Sequence, residues 1–143
     1  VTIFGIAAFH GETQRPHPDD AVLRVARGRQ MAHLSIRIDL GPENRVGPGK
    51  IQLLEMIAEH GSISAAGRAI GMSYRRAWML IEALNTGFGQ PVVAAQIGGK
   101  SGGGAKLTAF GAELVQHYRA IERAAAEAAA PFLSRIASGT GDS

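Results

Sequence analysis

Cysteine is missing from this 143-residue chain, which excludes disulfides and thiolate metal sites and suits a reducing, cytoplasmic setting. No apolar run approaches the roughly 20 residues that a membrane-spanning helix requires, so no membrane partner is expected. The five histidines, His10, His17, His33, His60 and His117, show no metal-ligand spacing and read as single surface or rim residues. No Ser/His/Asp order or carboxylate pair stands out, so the chain is not read as an enzyme and no cofactor is expected. A large excess of one charge is lacking too: the net charge is +3, although the pI is about 9.8.

Where the charge sits is more telling than its sum. Residues 50–107 carry Lys50, Arg68, Arg75, Arg76, Lys100 and Lys106 against three acids, Glu55, Glu59 and Glu82. The segments on either side are close to neutral. A basic middle segment fits a nucleic-acid partner, but charge this sparse also fits a solvated face.

Residues 1–30 differ from the rest, with an apolar start leading into a polar stretch containing Pro and His. They read as an N-terminal extension, either native or lying upstream of a start at Met31, and they match a signal peptide poorly. Leu34, Ile36, Ile38 and Leu40 alternate with Ser35, Arg37 and Asp39, the period of a half-buried strand. Gly41-Pro42 and Gly47-Pro48-Gly49 then mark a loop.

The spacing of Ile51, Leu54, Ile57 and Ala58 predicts a helix over Lys50–His60, with Gly61 as its left-handed cap. Ser64 is placed to cap a short helix, Ala65–Ile70, and Ser73 to cap another, Tyr74–Asn85, stopped by Gly87 and Gly89. Two helices joined by Gly71-Met72-Ser73 have the sequence form of a helix-turn-helix. Val92–Ile97, a glycine-rich turn over Gly98–Gly104, and Ala105–Leu107 then predict a hairpin, or wing. Thr108 caps a last helix running to about Ala130, before Pro131, with apolar Phe110, Leu114, Ile121, Ala125 and Ala128 at helical intervals. The domain is thus expected over residues 31–137, with a flexible tail over 138–143. The fold class is mainly α with a small β-hairpin, a winged helix-turn-helix.

On a helical wheel over Tyr74–Asn85, Ala77, Leu80, Ile81 and Leu84 form the inward stripe, and Arg75, Met79 and Glu82 point outward with Arg76 on the shoulder. Outward residues in the first turns are those that a recognition helix presents to base edges. Arg can grip a guanine edge bidentately or a phosphate, and Tyr74 and Trp78 flank that surface. Ser64, Ser73, Tyr74, Arg75, Arg76, Met79, Lys100, Ser101 and Lys106 are therefore the candidate contacts to double-stranded DNA. The glycine-rich turn permits close approach to a duplex while its lysines neutralise phosphates.

Two rivals stand beside this reading. Ala94–Ser101 satisfies a relaxed phosphate-loop pattern, but Gly102-Gly103-Gly104 follow where a helix would have to begin, so nucleotide binding is disfavoured. The other rival is a winged helix used as a protein-interaction module, dimerising without touching DNA.

Ile51–Ala130 resembles the DNA-binding domain of the ModE-like molybdate-responsive transcriptional regulators, themselves similar to LysR-type regulators. The resemblance rests on Gly61-Ser62-Ile63-Ser64 with Ala65-Ala66, on Ser73-Tyr74 with Ala77-Trp78, and on Asn85. It rests above all on Gly98–Ala105 followed by Leu107-Thr108 and Gly111. It implies a homodimeric winged helix paired through the long last helix, with Phe110, Leu114, His117, Ile121 and Ala125 as the dimer contacts. It also implies regulation of molybdenum uptake or use. Such regulators carry a C-terminal molybdate-binding module of small β-barrels, and only about thirteen residues follow Ala130. Molybdate binding is therefore not expected within this chain.

Overall fold

The computed structural model describes residues 32–96 and 104–139. Eight elements follow in order: β1 (Ile38–Asp39), β2 (Arg45–Val46), α1 (Pro48–His60), α2 (Ile63–Ala69), α3 (Tyr74–Phe88), β3 (Val93–Gln96), β4 (Gly104–Leu107) and α4 (Ala109–Gly139). Among these residues no helix is long and apolar enough to cross a membrane.

Helix α1 buries Ile51, Leu53, Leu54 and Ile57. Ala58, expected on that face, is exposed, and Leu53 takes its place in the core. The helix begins at Pro48, because proline's fixed φ and missing N–H suit a first helical position. Gly61 closes it in the left-handed conformation, φ 69°.

Helix α2 starts at Ile63, earlier than expected, and its cap is Ser62, whose hydroxyl accepts from the Ala65 N–H at 3.1 Å. Ser64 is not the cap; it is exposed in the first turn. Burial of Ile63 against the core draws the helix two residues upstream. The turn into α3 is tight: the N–H groups of Ile70 and Met72 both reach the Gly67 carbonyl. A Cβ on Gly67 would stand 2.9 Å from the Met72 carbonyl oxygen, so this close approach requires glycine.

Helix α3 buries Ala77, Ile81 and Leu84, with Leu80 partly covered. It continues through Gly87 to Phe88 and stops at Gly89, φ 68°. Gly87 lies inside the helix where Asn44 from the β1–β2 hairpin packs against it; a Cβ there would lie 2.6 Å from Asn44 Oδ1, so the close approach requires glycine. That hairpin is a finding beyond the single strand expected over Leu34–Leu40. Ile38 and Asp39 pair with Val46 and Arg45, and Leu40 is exposed, which ends the alternation.

The second hairpin pairs Val93–Gln96 with Gly104–Leu107 in antiparallel register. Val92 lies just outside the strand and is anchored instead: its N–H donates to Asn85 Oδ1 at 2.9 Å, and its carbonyl accepts from the Thr108 N–H at 3.0 Å. The Ala105 N–H donates to the Gly61 carbonyl, which fastens the hairpin to the α1–α2 turn.

Thr108 caps α4 as expected, accepting from the Gly111 N–H and donating to the Pro91 carbonyl. The helix does not end at Ala130. It passes through exposed Pro131 to Gly139, so Ser138 and Gly139, assigned to the tail, are helical. Six alanines between Ala124 and Ala130, the strongest helix formers, carry it up to the proline. Only Gly111 and Tyr118 of its 31 residues are buried. The Tyr118 hydroxyl donates to the Ile36 carbonyl at 2.7 Å, and Arg119 forms a bidentate pair with Glu55 of α1 and a second pair with Glu122. Beyond these ties α4 leaves the core.

Candidate nucleic-acid interface

The outer face of α3 is built by the same pattern that builds its inner one. With Ala77, Ile81 and Leu84 sealed inward, Tyr74, Arg75, Arg76, Trp78, Met79 and Glu82 are all exposed. Met79 is 61% exposed and Tyr74 56%, a large apolar outlay for a helix whose other side already fills the core. Tyr74 and Trp78 meet edge to face with centroids 6.3 Å apart, which holds both rings on the surface.

Ser73 starts the helix. Its hydroxyl accepts from the Arg76 N–H at 3.1 Å, so the two arginines fall in the capped first turn. Neither Arg75 nor Arg76 has an ion pair or a hydrogen-bonding side-chain partner among the described residues. The guanidinium groups are therefore free to meet an external anion or base edge.

A shallow open groove runs along this face. Tyr74, Arg75, Trp78, Met79, Glu82 and Thr86 of α3 line it, and Glu43 at the tip of the β1–β2 hairpin borders it. Nothing in the sequence pattern marked Glu43, Thr86 or the hairpin as neighbours of this helix. The Asn44–Gly87 packing that brings them there is a tertiary contact.

The other nominated residues lie around this face in varying states. Ser64 is exposed on α2, as is Arg68 in its last turn; Lys106 is exposed on β4. Lys100 and Ser101, with Gly98, Gly99, Gly102 and Gly103 of the turn expected over Gly98–Gly104, lie outside the described residues, and Gly104 opens β4. Lys50, counted in the basic excess, is not free. Its Nζ donates to the Arg45 carbonyl at 2.6 Å, and burial, followed by the nearby Arg45 charge, pulls its pKa below the usual lysine value. Among the described residues no group of three or more His, Asp or Glu stands together as a metal site.

The nominated dimer residues divide into two sets. Phe110 and Leu114 pack against the core of their own subunit, Phe110 ring to ring with Phe88 at 5.1 Å. His117 and Ile121 are exposed and Ala125 half-buried. Phe132 and Ile136, 68% and 61% exposed, are further apolar positions that lie beyond the helix end expected at Ala130. They return to the face of Ile121 and Ala125 at helical spacing.

A short helix, a tight turn, a capped second helix with an arginine-bearing outer face, and a hairpin directly after it define a winged helix-turn-helix. Residues 49–112 match the family model described as bacterial regulatory helix-turn-helix protein, lysR family. The chain is similar to the molybdenum-pterin-binding protein MopB of Rhodobacter capsulatus, 46% identical over 88 residues, 62% of this chain and 33% of that protein. It is also similar to the molybdenum transport protein ModE of Azotobacter vinelandii, 37% identical over 94 residues, 66% of this chain and 34% of that protein. The DNA-binding transcriptional dual regulator ModE of Escherichia coli K12 is 38% identical over 87 residues, 61% of this chain and 33% of that protein. The chain thus spans about one third of the length of these relatives.

Proposed function

We propose that the chain is a sequence-specific, double-stranded DNA-binding transcriptional regulator of molybdenum-related genes, working in the cytoplasm as a homodimer. The observation that carries this reading is the outer face of α3: two unpartnered arginines in a capped first turn, flanked by Tyr74 and Trp78, on a helix seated by its inner stripe. In a winged helix-turn-helix that face enters the major groove, with arginines on base edges or phosphates. The Gly98–Gly104 turn, with Lys100 and Ser101, and Lys106 on β4 would then lie against the adjacent backbone. Ser64 and Ser73 would donate to phosphates. The link to molybdenum comes from the names of the relatives. No catalytic step forms part of this reading.

Pairing of two copies through α4 supports the geometry that DNA needs. Ile121, Ala125, Phe132 and Ile136 make one apolar face on a helix that has left its own core. His117 borders that face, while Phe110 and Leu114 brace the root of the helix. Two recognition helices related by a dyad would reach successive major grooves roughly 34–36 Å apart, so the operator is expected to be a near-palindrome with half-sites one turn apart.

The test is a salt-titrated gel shift on genomic fragments, run with and without molybdate. The reading predicts retained fragments whose log affinity falls linearly with log salt. A chain that dimerises yet retains no fragment at low salt would instead be a protein-interaction module.

A further inference from the structure

Arg75 and Glu82 stand seven residues apart on α3, two turns of helix, and so return to the same side. Both are exposed, and both line the groove together with Trp78 and Met79. The four residues occupy i, i+3, i+4 and i+7, the spacing at which homeodomain helices carry their major-groove contacts.

Glu82 needs an account that a solubilising role does not supply. Its carboxylate has no ion pair and no side-chain hydrogen bond among the described residues. It also sits on the face offered to a polyanion, where it repels phosphates and the acceptor-rich edge of guanine. The groups in a major groove that suit a carboxylate are exocyclic amines, and cytosine N4 is the characteristic partner of Glu.

The geometry points to Glu82 as a second base-reading side chain, accepting a hydrogen bond from a cytosine amine in the groove that Arg75 enters. This rests on the reading of α3 as the recognition helix. Seven residues of helix rise about 10.5 Å, and base pairs stack about 3.4 Å apart. The cytosine therefore lies up to about three base pairs from the base contacted by Arg75, fewer as the helix tilts from the duplex axis. The carboxylate also serves as a rejecting element: a guanine or thymine at that position would face it with an acceptor.

The experiment is selection of bound sites from random duplex DNA by the full chain and by its Arg75→Ala, Glu82→Ala and Glu82→Gln variants. The native chain is expected to enrich a motif containing a cytosine column within about three pairs of the column that Arg75→Ala flattens. Glu82→Ala should reduce that cytosine preference about fivefold or more. Glu82→Gln should move it toward adenine, which an amide reads through N6 and N7. Motifs identical to native in every column for both Glu82 variants would overturn the inference while leaving the Arg75 groove assignment standing. No enriched motif for the native chain would overturn the groove assignment, and this inference with it.

Discussion

The Ser73 hydroxyl accepts a hydrogen bond from the backbone N–H of Arg76 at 3.1 Å, so the residue that opens α3 also fixes the turn that carries both arginines. Replacing Ser73 with Ala leaves that N–H without its cap and should cost about 1 kcal/mol of stability. A denaturant titration measures the loss. DNA affinity should fall by more than stability alone explains, because the first turn frays where the arginines are held.

A buried tether behaves differently. The Tyr118 hydroxyl, bonded to the Ile36 carbonyl, is pushed up to about 12 by burial, with the nearby Glu122 charge adding to the rise. The folded state thus holds this proton more tightly than the unfolded chain, whose tyrosine titrates near 10.0. Its contribution is fully present below that value and is lost as pH rises from about 10 through about 12. Tyr118→Phe should lower stability by about 1–3 kcal/mol at neutral pH, since the Ile36 carbonyl loses its partner. The variant should also flatten the decline above pH 10, which melting temperatures across pH would show.

Glycines divide sharply by their surroundings. A Cβ on Gly111 would run into the Val92 carbonyl, the group that also accepts from Thr108. Gly111→Ala should therefore cost about 1–3 kcal/mol by forcing α4 off its seat. Gly49, helical and with nothing within 4 Å of its Cβ position, is the contrast. Gly49→Ala should stabilise by up to about 1 kcal/mol. Thermal unfolding of the pair checks both signs.

The far half of α4 predicts an assembly effect with no folding effect. Phe132→Glu combined with Ile136→Glu places charges on the exposed apolar face. The double variant should sediment as a monomer where the native chain is expected to sediment as a dimer, with unchanged helical content by circular dichroism.

The parts of this structure written in local periodicity were legible in the sequence. Ala77, Ile81 and Leu84 face inward and Arg75, Met79 and Glu82 outward, as the wheel predicts, because one helix with an apolar stripe has only one way to bury it. Gly61, Ser73 and Thr108 cap as expected because each motif closes within three or four residues. What was not legible depends on partners distant in sequence. Ser62 displaces Ser64 as a cap only because Ile63 reaches the core. The β1–β2 hairpin and its approach to the α3 groove depend on Asn44 meeting Gly87, 43 positions later. Pro131 signals a stop in most helices, yet α4 runs on through it to Gly139, with Phe132 and Ile136 exposed.

The central claim is that the outer face of α3 reads DNA, and the most direct measurement compares the native chain with an Arg75→Ala/Arg76→Ala double variant by fluorescence anisotropy on a site enriched from genomic DNA. The arginines are exposed and unpartnered, so the variant should fold normally and lose about 1–3 kcal/mol of binding for each base contact removed. Equal affinity of the two proteins for that site, at matched salt, would contradict the account.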